Sequence, residues 1–194
     1  MVTQADEAAH FDDIRATRLI LRRMVPALMT ASLAGDLRLA EQLLGAAIPP
    51  DLLERPAALT YTLEQLAADP DYGPWSARAL LLAETGRMVG HIRFHSRPDP
   101  PYLRPHVRDA VELGYTVFAA DRRRAYASEA LDAMMGWAHA VHGVSRFVAS
   151  VSPENAASLA LIRRFGFRRI GEHVDEVDGI EHIFLCGLPR RNRP

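Results

Sequence analysis

Cysteine is almost absent from this chain: its one thiol, Cys186, cannot form an internal disulfide, which fits a reducing compartment. Long apolar runs are also missing. No stretch approaches the ~20 residues of a membrane span, so no membrane partner is expected. The opening residues Met1 to Glu7 are acidic and hold no apolar signal core, and the expected location is cytoplasmic. Excess charge of either sign is lacking too: 23 Lys+Arg stand against 24 Asp+Glu, a balance that argues against a nucleic-acid partner. There is no internal repeat and no composition shift that would divide the chain. Its 194 residues are expected to form a loose tail over 1–13 and a single domain over 14–194. A chain of that length buries roughly 70% of its unfolded surface.

The patterning predicts an α/β protein. A strand is expected at Thr17 to Arg22, then short helical segments: Pro26 to Leu33, one entered through Asp36, and one entered through Thr62, whose spacing to Gln65 is that of a capping box. The runs Arg78 to Glu84 and Arg87 to His95 flank Thr85-Gly86 and read as a hairpin. In its second arm Met88, Ile92 and Phe94 share one face, and Val89, His91, Arg93 and His95 the other. The proline-rich stretch 98–105 reads as a loop and 111–118 as a strand. Apolar residues from Ala127 to Val141 recur at helical spacing, which predicts a helix over 126–142. A strand at 146–151, a helix from Asn155, and strands near 168–174 and 180–188 joined by a turn at Asp178-Gly179 complete the order. That order predicts a mixed sheet with helices on both faces. Cys186, in the alternating run Ile183 to Cys186, reads as a buried structural thiol.

The most informative segment runs from Arg122 to Leu131, just after the 111–118 strand. It is a cationic turn of small residues that opens a helix, so unpaired backbone N–H groups and a positive dipole end face outward. With Arg122, Arg123 and Arg124 beside those donors, the natural guest is a pyrophosphate, which planar guanidinium forks bind with paired hydrogen bonds.

These residues resemble the acyl-CoA loop of the GNAT acyltransferases, Arg/Gln-x-x-Gly-x-Gly/Ala, with Arg122, Ala125 and Ala127 at the three motif positions. The middle glycine is alanine here. If that position takes positive φ, alanine strains the loop by roughly 1 kcal/mol or more; if it only needs a small residue, alanine costs little. The block Asn155-Ala156-Ala157-Ser158 through Phe165-Gly166-Phe167 is similar to the Asn-x-x-Ser helix and Gly-Phe ending of the RimJ/RimL-like branch. Arg18-Leu19-Ile20-Leu21-Arg22 is similar to the first strand of that branch.

The resemblance implies a mixed, mostly antiparallel central sheet with helices on both faces, splayed between the strand before the arginine loop and the strand before Asn155. It implies an acetyl-CoA-dependent N-acetyltransferase acting by direct transfer on a primary amine, either a protein N-terminus or a small molecule, and no metal. Thr116, Val117, Phe118, Arg122, Arg123, Arg124, Ala125, Tyr126, Ala127, Ser128 and Asn155 would hold the donor, with backbone N–H near Val117 and Phe118 polarising the thioester. Arg163 and Arg164 are further phosphate candidates or a solvated helix face. Glu112 would serve as base and Ser158 would assist the departing thiolate. Without the resemblance, Glu112 is a strand-edge carboxylate facing solvent or pairing with Arg93, Asn155 a helix N-cap, and Ser158 a packing residue. His95 and His91 are the reserve bases; their spacing on a strand is poor support for a metal site. Glu112, Asp109, Asp175 and Glu176 could make an acidic cleft for a basic acceptor. Similar proteins often pair as homodimers, and nothing in the sequence specifies an interface. The alternatives are an acyl-CoA-binding module without catalysis, prompted by Ala125, and a nucleic-acid partner for the arginine patch.

Overall fold

The structure, a computed structural model, describes residues 12–54, 56–175 and 179–188. Strands β1 (Ile14–Arg15), β2 (Leu19–Arg23), β3 (Arg78–Leu82), β4 (Met88–Phe94), β5 (Ala110–Val117), β6 (Arg146–Val151), β7 (Arg168–Asp175) and β8 (Gly179–Gly187) join in the order β1-β2-β3-β4-β5-β6-β8-β7. β5 and β6 are parallel, whereas β1 to β4 and the β6-β8-β7 group are antiparallel. The helices are α1 (Pro26–Leu33), α2 (Leu37–Leu44), α3 (Pro50–Glu54), α4 (Ala57–Ala68), α5 (Tyr126–His142) and α6 (Ala156–Arg164). The mixed, mostly antiparallel α/β architecture expected above is the one observed.

The chain folds as two compact units, and β4, β5 and α5 contribute residues to both. The first comprises the residues up to Arg93 with Tyr115–Met134. Here α1 to α4 are inserted between β2 and β3 and bury Leu28, Met29, Leu44 and Leu59 against Leu81 and Phe118. Asp36 caps α2, its carboxylate accepting from Leu39 N at 3.1 Å, as its position predicts. Thr62 does not open a helix. α4 begins at Ala57 behind Pro56, and the buried Thr62 hydroxyl donates to the Ala58 carbonyl inside it. A threonine inside a helix can share the carbonyl four residues back instead of capping, and spacing alone does not separate the two. The Thr85-Gly86 turn is as expected, with Gly86 at φ 72°. Gly90 is required by close approach: a Cβ there would lie 2.1 Å from the Thr116 carbonyl oxygen. Asp12 and Asp13 bind Arg78 and Arg22, while residues 1–11 of the expected tail lie outside the described residues.

The second unit comprises Phe94–Gly114 with the chain from Met135 onward. Phe94, Trp137 and Phe147 stack in its interior. The parallel β5–β6 ladder runs from Ala110 beside Arg146 to Glu112 beside Val148, and β6 pairs with β8 along its whole length, Arg146 to Val151. The Cys186 thiol is buried, donates to the Phe165 carbonyl and has its pKa pushed up by burial, a structural role as predicted. Asp178 of the expected hairpin turn lies outside the described residues; Gly179 beside it has φ 74°.

Candidate active site

In the first unit, the segment from Phe118 to Ser128 is held from below and strained above. Asp121 is buried and accepts both arms of the Arg87 guanidinium, at 2.7 and 2.8 Å, from the hairpin turn. That fork holds the Asp121 carboxyl below the ordinary carboxylate range. Arg122 donates from Nε to the Val117 carbonyl at 3.2 Å, tying the loop to the end of β5. Arg122, Arg123, Arg124 and Ala125 are all exposed.

Arg123 and Ala125 both adopt left-handed backbone, at φ 62° and 63°. Alternate left-handed steps curl main-chain amides into anion-binding concavities. Ala125 is therefore not merely a small residue at the motif position: the backbone there has the conformation that favours glycine, and the alanine bears the strain. Its carbonyl accepts the first helical bond, from Glu129 N at 3.1 Å, which makes Ala125 the N-cap of α5. Alanine has no side-chain acceptor, so the first amides of α5, those of Tyr126, Ala127 and Ser128, receive no cap from it. Arg18, just before β2, secures the first turn of α5. Its backbone N–H donates to Glu129, its Nε reaches the other Glu129 oxygen at 2.8 Å, and its guanidinium lies 4.9 Å above the Tyr126 ring. Arg18 entered the sequence reading only as part of a strand motif, because a contact 111 residues away leaves no local signal. Thr116 and Val117 are half-buried at the end of β5, and Phe118 is buried, its N–H donating to the Val89 carbonyl. That amide is spent on the sheet, which places it outside the set of free donors expected near the thioester.

In the second unit, Glu112 does not face solvent. Its side chain is 5% exposed, accepts from the Ser150 hydroxyl and lies 3.4 Å from His95 Nδ1. Tyr102 donates to it as well. Burial pushes the carboxyl up, but the hydrogen bond and charge of His95, with Ser150 and Tyr102, outweigh it and bring the pKa from 4.5 to about 2. Sequence pattern had offered His95 only as a reserve base. Its backbone N–H donates to the Glu112 carbonyl at 2.8 Å, so the two residues face each other across adjacent strands. Ser150 and Tyr102 carried no sequence signal, since each meets Glu112 only through strand pairing or a loop.

Asn155 is exposed and caps α6, its side-chain oxygen accepting from Ser158 N at 3.1 Å. That use leaves its side-chain N–H₂ to donate elsewhere. Ser158 is half-buried one turn inside α6, and Arg163 and Arg164 are exposed. Of the four residues expected to form an acidic cleft, Glu112 is buried among its own donors, Asp109 is exposed beside Arg146, and the side chains of Asp175 and Glu176 lie outside the described residues. His91, in the first unit, is buried with no hydrogen-bond partner at Nδ1, and burial pulls its pKa down from 6.5 to about 4.

A left-handed, arginine-rich turn thus opens a helix on a mixed, mostly antiparallel sheet. Residues 18–168 match the model of the acetyltransferase (GNAT) domain, and the chain belongs to that family. No curated protein matches it in sequence. Among solved structures, an acetyltransferase from Agrobacterium tumefaciens aligns with TM-score 0.57 and 22% identity over 91% of this chain and 94% of its own. The RimJ protein of Mycobacterium smegmatis, solved with CoA-disulfide, aligns with TM-score 0.60 and 20% identity over 90% of this chain and 87% of its own. The ribosomal-protein-S5-alanine acetyltransferase from Vibrio fischeri aligns with TM-score 0.60 and 14% identity over 90% and 96%. At these identities the likeness is one of fold.

Proposed function

We propose that this protein is an acetyl-CoA-dependent N-acetyltransferase of RimJ/RimL type that transfers the acetyl group directly to a primary amine, on a protein N-terminus or a small molecule. The observation that carries the reading is the N-terminus of α5, where Arg123 and Ala125 are left-handed and Ala125 cannot cap the helix it opens. Arg122, Arg123 and Arg124 with the amides of Tyr126, Ala127 and Ser128 form the seat for the diphosphate of the donor. Thr116 and Val117 border its acyl arm, and Asn155 offers its side-chain N–H₂ to the arm's amides. The donor supplies an activated thioester; the protein holds it beside the amine, a fixation worth roughly 7–11 kcal/mol of barrier in well-aligned systems. Glu112, through its network, serves removal of the ammonium proton, and Ser158 assists the leaving sulfur.

No cysteine stands in a nucleophile's setting, since Cys186 is buried with a raised pKa, and direct transfer follows. Titration calorimetry with acetyl-CoA, followed by thiol-release kinetics over free α-amine peptides and small primary amines, tests the reading. Binding and turnover on one class of amine are expected. Binding without turnover on any amine would establish a non-catalytic acyl-CoA module instead, and absence of binding would remove both.

A further inference from the structure

Beyond the acetyltransferase reading, we infer that the second unit carries a separate site for a small aromatic monoanion, an aryl carboxylate or sulfonate, in the cavity between α6 and the β7–β8 hairpin. The cavity has a volume of about 430 Å³. Among its walls are Leu159 and Arg163 of α6, Phe167 just beyond that helix, Arg169 of β7, and His182 and Phe184 of β8. Its size lies within the roughly 300–1,000 Å³ of small-molecule pockets, and its make-up is theirs as well, aromatic and aliphatic walls with a few charged groups.

Strand register builds the floor. Arg169 stands opposite Phe184 and Glu172 opposite His182, so these four side chains share one face of the hairpin. Phe167 and Phe184 are buried, and the His182 ring lies 6.4 Å from that of Phe184, which supplies aromatic surface for a flat ring to pack on. Helix α6 supplies the wall. Its buried Ile162 marks the face turned to the sheet. Leu159 and Arg163 lie about 60° and 100° round the helix from Ile162 on one side, and Ser158 about 40° on the other. In the sheet β8 and β7 lie beyond β6 from β5, so the cavity occupies the flank of α6 away from Ser158.

Charge selects the guest. The Arg169 guanidinium is already matched, since it donates to the Glu172 carboxylate at 2.5 Å. The Arg163 guanidinium is exposed and makes no hydrogen bond or ion pair with another described residue. One uncompensated guanidinium beside aromatic walls calls for one negative charge on an apolar, planar body: a planar carboxylate or a sulfonate accepts the paired N–H groups of the fork while the ring enters the cavity.

The experiment is a fluorescence titration of the full chain with anilinonaphthalene sulfonate, an aromatic monoanion, and with anilinonaphthalene, the same body without its charge. The wild type is expected to bind the sulfonate about tenfold or more tighter than the uncharged analogue. Arg163→Gln, at an exposed position, is expected to weaken the sulfonate about tenfold and to leave the uncharged analogue unchanged. Arg164→Gln removes an equal charge about 100° further round the helix and is expected to change neither. Saturating acetyl-CoA is expected to leave the sulfonate's affinity as it was. Equal sulfonate affinity in wild type and Arg163→Gln, an equal loss in Arg164→Gln, displacement by acetyl-CoA, or no binding by the wild type overturns the site. None of these readouts involves acetyl transfer, so each result leaves the acetyltransferase reading to its own test.

Discussion

Arg87, in the β3–β4 hairpin, donates two parallel hydrogen bonds to Asp121, 34 residues later, and thereby fixes the foot of the arginine loop. The carboxylate is 3% exposed and the guanidinium 50%, so the pair spans the boundary between interior and solvent. Removing the buried charge's partner is costly in such a setting, because the carboxylate cannot be rehydrated in place. Arg87→Ala is expected to lower stability by about 2 kcal/mol, roughly 4–8 °C in Tm for a chain of this size, and to weaken acetyl-CoA binding. A variant with wild-type Tm and affinity would show that the pair does not support the loop.

Replacing Arg122 and Arg124 together with alanine should weaken acetyl-CoA binding about tenfold or more, since each charge-assisted bond to a phosphate is worth more than about 1 kcal/mol. The effect should shrink as salt is raised. Calorimetry at two ionic strengths measures it, and an unchanged Kd would take the diphosphate away from this loop.

At φ 63°, Ala125 is the position where a glycine relieves strain and a β-branched residue adds to it. Ala125→Gly should leave Tm the same or higher and acetyl-CoA affinity the same or tighter. Ala125→Val should lose about 1 kcal/mol or more in stability. Equal stability of the glycine and valine variants in denaturant titrations would contradict the left-handed backbone.

Two buried groups set the acid limit of the fold through different windows. His91 has its pKa lowered from 6.5 to about 4, so the unfolded chain binds the extra proton first and stability falls as pH drops from 6.5 towards 4. Glu112 has its pKa lowered from 4.5 to about 2, so its contribution is complete above 4.5 and is lost as pH falls towards 2. Each shift corresponds to about 3 kcal/mol between the ends of its window. Denaturant unfolding as a function of pH should show two successive losses. His91→Asn should flatten the upper one and Glu112→Gln the lower, and a profile unmoved by either substitution would rule these groups out as its cause.

The arginine loop, its following helix and the family of the chain were readable from local order, because residues within one turn of a helix or one strand of each other carry their own spacing. Asp36 at the start of α2 and the 126–142 helix were legible for the same reason. Thr62 was misread because the same hydroxyl can cap a helix or bond four residues back, and only the burial of α4 selects between them. The surroundings of Glu112 were illegible: His95, Tyr102 and Ser150 come from a neighbouring strand, a loop and a parallel strand, at separations of up to 38 residues.

The linear order of residues determined which segments become most of the strands and helices, the cationic turn that opens α5, and that Cys186 has no disulfide partner. Tertiary structure decided the rest. Strand pairing brought a glutamate, a histidine and a serine to one place, and with that burial and those donors it set the carboxylate's proton affinity. A side chain's pKa and access depend on neighbours chosen by packing in three dimensions, and no stretch of chain contains that information by itself.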